Sequence, residues 1–381
     1  MKVEAAVLQS SRPTVFHGGD VSAIAEEFGL RPEDLIDFSA NINPAGPPQS
    51  VLSKLAEIAA DPKLSSSYPE PDHRSLRRVF AAHAAVQPDN VVVANGTAAL
   101  IDVTLRALKP KRCLLPVPAF GEYRRALAAA GCECIPFALD PSRNFVLDGT
   151  AFLEAMCREN CDFCIITNPH NPSGSLSAAA SLVELLKRVS ERSATALLDE
   201  AFIEYSMEAS LTKAAATLSS TVVLRSVTKF YALAGMRVGF AVANAEIADA
   251  LRAQVPPWPV SSLAVTAASE ALLDLDYARR TLLDCSQERE WLATSLAQLG
   301  MRVFPSSANF LLLRTPTGPA RASQLYRRLI QEHHILVRDC DSFEGLEADT
   351  FLRVAVKTRE ANTKLVQALR DLLGGRSEQR E

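Results

Sequence analysis

No stretch of the chain is apolar for long enough to cross a bilayer as a helix, which takes about 20 residues, so no membrane partner is expected. A basic excess is also missing. The 40 Lys and Arg stand against 44 Asp and Glu, a net charge of −4, which argues against nucleic acid or an anionic membrane surface as a partner. The first ten residues lack both a basic stretch and a sustained apolar one, so export is not expected and a cytoplasmic location is. There is no internal repeat and no low-complexity segment. Eight cysteines in 381 residues do not make a disulfide scaffold and read as reduced thiols. Cys161 and Cys164 form a CxxC, but it lies in the strand-like run CDFCIITNP with no second pair at zinc spacing. They read as core cysteines, and no metal is expected.

What is present is enough apolar material, 48% of residues, for one large core and a smaller one. The middle of the chain alternates short apolar runs with amphipathic ones, the pattern of a mostly parallel sheet covered by helices. Strands are expected at 90–94, 113–117, 134–137, 161–167, 195–199, 221–226 and 238–243. Helices are expected at 98–108, 122–130 and 178–191, where apolar residues recur every three or four positions. After residue 264 the texture changes. A long helical run reaches 299 with a break near Leu275. Two-residue alternation follows at 301–314, then a helix at 322–333, short strands at 335–338 and 351–356, and a helix at 359–373. The fold class is therefore α/β: a three-layer, mostly parallel large domain (47–263) with a smaller α+β domain (264–381). Residues 1–46 are loop-rich and are expected to pack on the small domain or across an active site. The Pro-rich run VPPWPVSSL, 255–263, reads as a hinge or substrate-lining connector.

Several strand ends carry candidate chemistry. Lys229, in SVTKFYALAGMRVGF, follows an apolar strand, with Ser226 three residues before it and Arg237 eight after. A lysine desolvated there can act as an amine nucleophile, and the hydroxyl and guanidinium can donate to a phosphate. Most lysines are ordinary surface residues, so this feature does not decide alone. Asp199 ends the run TALLD, where doubly wound folds bind ligands, although Asp is also a common cap or turn residue. NPHNPSG, 168–174, reads as a tight turn in which Asn171 offers an amide. NGTAAL, 95–100, follows a strand and opens a helix, so the backbone at Gly96, Thr97 and Ala98 can hold a phosphate. Phe120 can stack on a flat ring or simply fill core.

Each signal is modest, but their order and spacing resemble the class I/II aminotransferase family, of fold type I, along nearly the whole chain. The resemblance implies pyridoxal 5′-phosphate (PLP) held as a Schiff base on Lys229, with Asp199 pairing its pyridinium nitrogen. It also implies Asn171 at the ring oxygen, Phe120 stacked on the ring, and Gly96, Thr97, Ala98, Ser226 and Arg237 around the phosphate. Tyr68 matches a tyrosine that reaches the neighbouring subunit's cofactor, implying a homodimer with shared active sites. Arg353 matches the arginine that grips the substrate α-carboxylate. Within the family, FHGGD (16–20), DFSANINPAGPP (37–48) and the pair Arg338 and Arg353 resemble the threonine-phosphate decarboxylases of cobalamin biosynthesis. This implies a small phosphorylated amino-acid substrate contacted by His17, Gly18, Asn41, Asn171, Arg338 and Arg353. The runner-up is the histidinol-phosphate aminotransferase branch. A PLP-binding sensor domain is a third reading, disfavoured because no room remains before Asp37 for a DNA-binding motif. Phe202 departs from many aminotransferases, which carry a tyrosine there and gain a donor to the ring oxygen.

Overall fold

The computed structural model describes residues 18–316 and 321–374. Its strands are β1 (Ile36–Asp37), β2 (Val91–Ala94), β3 (Arg112–Val117), β4 (Glu133–Ala138), β5 (Phe163–Thr167), β6 (Thr195–Glu200), β7 (Thr221–Ser226), β8 (Gly239–Val242), β9 (Arg302–Val303), β10 (Phe310–Arg314), β11 (Ile335–Leu336), β12 (Arg338–Asp339) and β13 (Phe351–Ala355). The seven apolar runs between 90 and 243 become one sheet in the order β2-β8-β7-β6-β5-β3-β4. β8 alone runs opposite in direction to the other six strands.

Successive residues of a strand point to opposite faces, and this divides the core. Val91, Val93, Leu198 and Val223 join one apolar cluster, while Val92, Ala94, Leu197, Val222 and Leu224 join the other. Both faces are thus covered, which is why β2, β7 and β8 are buried along their whole length. The covering helices present apolar stripes. Helix Ala179–Glu191 buries Leu182, Leu185, Leu186 and Val189 at helical spacing, each burial contributing about 1.5–3 kcal/mol.

Beyond the large sheet, the expected break near Leu275 falls at Asp274. Its carboxylate accepts from the Tyr277 backbone N–H at 2.9 Å, capping helix Leu275–Ala297 where helix Ser262–Leu273 has ended. A four-stranded antiparallel sheet, β12-β13-β10-β9, lies over a third apolar cluster that includes Leu292 and Leu296 of the long helix. The single strand expected at 335–338 is two. The backbone of β11 bonds to the N-terminal segment, with Phe38 N–H donating to the Leu336 carbonyl at 2.7 Å, whereas β12 pairs with β13. The partner changes across Val337, so no one ladder spans the run.

The segment before residue 46 contains a helix that its loop-like composition hides. Val21–Phe28 starts at Asp20, whose carboxylate accepts from Ala23 N–H, and stops at Gly29 in the left-handed conformation. Ile24 and Ala25 bury against Ile330 and Leu336. Helices Gln49–Ala59, Arg74–Ala84, Gly149–Arg158 and Ala245–Arg252 also went unanticipated. No helix among the described residues is long and apolar enough to cross a membrane.

Candidate active site

Asn171, Asp199, Ser226 and Lys229 lie at or just past the C-terminal ends of β5, β6 and β7. Asp199, the penultimate residue of β6, is 4% exposed. Its Oδ1 accepts from Ala201 N–H at 2.9 Å and its Oδ2 accepts from the Tyr123 hydroxyl at 2.7 Å. Burial pushes its pKa up, while the Tyr123 and Ala201 bonds and the Lys229 charge pull it back towards the ionised form. Lys229 lies three residues past the end of β7 and is partly buried. Desolvation brings it down to about 8, helped by the guanidiniums of Arg237 and Arg353 and opposed by Asp199. That is the environment a nucleophilic amine needs, and not that of a surface lysine.

An anion cradle lies beside it. A single residue, Asn95, separates the end of β2 from helix Gly96–Leu108, and Gly96 takes φ 80°. A Cβ at Gly96 would fall 2.8 Å from Arg237 Nη2, and one at Gly239 would fall 3.2 Å from the Thr97 nitrogen. Two glycines therefore let bare backbone meet a guanidinium at the first N–H groups of a 13-residue helix, near Thr97 and Ala98. Arg237 itself takes a left-handed backbone, φ 51°, and donates to the Ala234 carbonyl at 3.0 Å. Ser226 Oγ lies 2.7 Å from Thr228 Oγ1.

Arg353 organises the opposite wall. Its Nη1 donates to Asn171 Oδ1 at 2.6 Å and its Nη2 to the Ser39 carbonyl at 3.0 Å, while its buried Nε has no partner. No carboxylate of the described residues pairs with it, and desolvation brings it down to about 10. Arg338 stands directly across the β12–β13 ladder from Arg353, and each is 6% exposed. Arg338 donates to Ser342 Oγ at 2.7 Å and lies over the Phe343 ring. Like charges opposed in this way repel, more so when buried, and an anion between them relieves the repulsion. Asn41 is buried with Oδ1 unpartnered, and its carbonyl accepts from Asn309 at 2.9 Å. Gly18 passes so close to Ser39 that a Cβ would sit 2.4 Å from the Ser39 carbonyl oxygen. His17 lies outside the described residues.

Phe120 precedes helix Gly121–Ala129, its ring edge-on to Tyr123 at 5.6 Å. Tyr68 makes none of these contacts; it is 81% exposed and stacks on Trp258 at 4.7 Å. Three participants escaped the sequence reading. Tyr123 had a signal, since it follows Phe120 by three residues at a helix start and so shares its face. His170 is buried, with Nδ1 2.7 Å from Ser173 Oγ and Nε2 2.9 Å from the Pro118 carbonyl. Burial lowers it to about 4, so it is a neutral fastener between the Asn171 turn and the loop before Phe120. Ser39 contributes a backbone carbonyl, which no side-chain pattern reveals. Cys161 and Cys164 are buried free thiols, as core residues should be.

Comparison with known proteins bears on these residues as a set. The family described as aminotransferase class I and II matches residues 33–369. Threonine-phosphate decarboxylase of Salmonella typhimurium is 35% identical over 362 residues, covering 94% of this chain and 97% of that protein. Histidinol-phosphate aminotransferase of Roseiflexus castenholzii is 31% identical over 376 residues, covering 98% of each. The crystal structure of histidinol-phosphate aminotransferase from Sinorhizobium meliloti, solved in complex with pyridoxal-5′-phosphate, superposes with a TM-score of 0.85 at 22% identity. It covers 98% of this chain and 99% of that one, and shows the same fold.

Proposed function

The chain belongs to the class I and II aminotransferases, a PLP-dependent enzyme family, and from that premise we propose that it removes CO₂ from O-phospho-L-threonine to leave aminopropanol phosphate, a step of cobalamin biosynthesis. The residues present fit the cofactor. Asp199 is a buried carboxylate that accepts two protein hydrogen bonds against about four acceptor sites, which leaves capacity for a pyridinium N–H, and the glycine-opened helix start with Arg237 suits a phosphate. In this reading Gly96, Thr97, Ala98, Ser226 and Arg237 hold the phosphate, Phe120 covers the ring, Asn171 reaches the ring oxygen and Lys229 provides the covalent anchor. PLP bound there supplies an electron sink for charge that develops at the substrate Cα.

The observation that carries the substrate reading is the placing of Arg338 and Arg353, two buried guanidinium side chains that are register partners on β12 and β13, a pair suited to an anionic group. A carboxylate gripped from both sides is held against rotation, and orientation is what selects which Cα bond breaks. Asn171 and the Ser39 carbonyl fix the Arg353 fork from behind. Lys229 Nζ, with its lowered pKa, is poised to take or return a proton at Cα. Gly18, Asn41 and His17 would serve the phosphate end of the substrate.

A phosphate satisfies two guanidiniums as well as a carboxylate does, so the second reading is a histidinol-phosphate-type aminotransferase, which the 31% identity to that group supports. Incubating the PLP-loaded protein with O-phospho-L-threonine and no oxo acid separates them. CO₂ and aminopropanol phosphate are the expected products. Rapid turnover of histidinol phosphate with 2-oxoglutarate, and none of phosphothreonine, would move the assignment to the second branch.

The same reading includes a cytoplasmic homodimer with shared sites, to which the exposed Tyr68–Trp258 stack would contribute. It divides the chain into a PLP-binding body, 47–263, and a smaller domain, 264–381, with the N-terminal segment across the site.

A further inference from the structure

We infer that Tyr123 is a positioning residue for the cofactor site, fixing the Asp199 carboxylate in orientation and in its ionised form. The inference rests on the assignment of Asp199 to a cofactor nitrogen. Tyr123 lies in the first turn of helix Gly121–Ala129 and is 1% exposed. A phenol buried so deeply is costly unless its hydroxyl is bonded, and two oxygens lie in reach: Asp199 Oδ2 at 2.7 Å and Thr167 Oγ1 at 3.0 Å. Thr167 and Asp199 are register partners at the ends of β5 and β6, so the phenol bridges two adjacent strand ends.

The direction of the bonds follows from valence. An ionised carboxylate only accepts, and the phenol has one proton, so that proton lies towards Asp199 and Thr167 donates to the phenol oxygen. The chain Thr167 to Tyr123 to Asp199 is thereby polarised in one sense. With Ala201 N–H on Oδ1, both carboxylate oxygens are held and the plane of the group is set. Burial by itself drives Asp199 towards its neutral form, which cannot stabilise a pyridinium, and the Tyr123 bond is the largest influence opposing it. The phenol's own ionisation is pushed far above the ordinary range by burial and by the neighbouring Asp199 charge, so it stays a donor at all working pH values. Among the described residues, the charged group facing Asp199 is Lys229.

Tyr123→Phe keeps the ring and its edge contact with Phe120 but removes the donor. In the PLP-loaded protein the variant should show kcat down about tenfold with KM within about twofold, and a PLP dissociation constant raised several-fold, as expected for losing one charge-assisted bond. Without the Tyr123 donor Asp199 is more readily protonated and keeps a proton on the ring nitrogen less firmly; the ring is then less electron-poor, so the linkage to Lys229 holds its proton to higher pH. The absorbance–pH midpoint should therefore rise by about half to one unit, while the far-ultraviolet circular dichroism stays as in the wild type. Thr167→Val, which removes the donor to the phenol oxygen, should shift the midpoint the same way by less, and it carries the test should the first variant not fold. A midpoint and PLP affinity unchanged from wild type, or a lowered melt with no spectral shift, would overturn the inference. Should the wild type show no band from bound PLP, the cofactor reading itself fails; a normal wild-type band beside an indifferent variant removes only the role of Tyr123.

Discussion

Lys229 owes its chemistry to its neighbours. With its amine brought to about 8, the neutral nucleophile grows as pH rises through that value. Capture of PLP by the apoprotein, followed by stopped-flow absorbance, should accelerate with pH up to about 8 and level off above. Arg353→Gln removes a cation that depresses the amine, and should move that profile to higher pH. Gly96→Ala places a methyl 2.8 Å from Arg237 Nη2 at a left-handed φ. It should weaken PLP binding at least tenfold in equilibrium dialysis and leave the far-ultraviolet circular dichroism unchanged; unaltered affinity would mean that the phosphate sits elsewhere. The positions of Lys229 and Asp199 were legible in the sequence because one follows an apolar strand and the other lies at the end of one, which gives them a place in the fold. Tyr123 left only its spacing from Phe120 as a trace, because it acts through another side chain, and Ser39 left none, because it acts through its backbone.

Strands carry the site on one face and a charge network on the other. Glu200 follows Asp199 and Arg225 precedes Ser226, and these two are register partners on β6 and β7. Arg225 is fully buried, ion-paired to Glu204, with Glu200 at 3.9 Å and His83 Nε2 at 3.3 Å. The Glu204 carboxyl is held down at about 2: burial opposes this, but Arg225 and His83 outweigh it. Burial raises Glu200 to about 7. Arg225→Leu strands two buried carboxylates and should cost about 3–5 kcal/mol in urea unfolding at pH 8. The loss should shrink towards pH 5, because without Arg225 both carboxyls bind protons more tightly when folded than when unfolded, and protonation then favours the fold. A loss independent of pH would mean packing, not charge, is what Arg225 supplies. Six strands of the large sheet could be read from apolar runs because strands covered on both faces are continuous in hydrophobicity; β4, at the edge and only partly buried, was legible from its short apolar run alone. The N-terminal helix could not, since it is eight residues long and only two of them are buried. The split of 335–339 was hidden because it depends on which distant strand each half meets.

For the whole molecule, the family's fold accounts for the sheet order and the converging strand ends, while the sharing of sites between subunits is a proposal with its own test. Sedimentation should give a dimer at assay concentration. Lys229→Ala and Tyr68→Ala, each poorly active, should regain activity when their subunits are mixed and exchanged, because one of the two mixed sites is then intact. A stable, active monomer would contradict the sharing. Beneath all of these lies the claim that Lys229 is the covalent anchor. The direct measurement is borohydride reduction of the PLP-loaded protein followed by peptide mass mapping. The account predicts a phosphopyridoxyl adduct on the peptide that contains Lys229 and no such adduct in Lys229→Ala. An adduct on another lysine, or none in a protein that turns over its substrate, would contradict it.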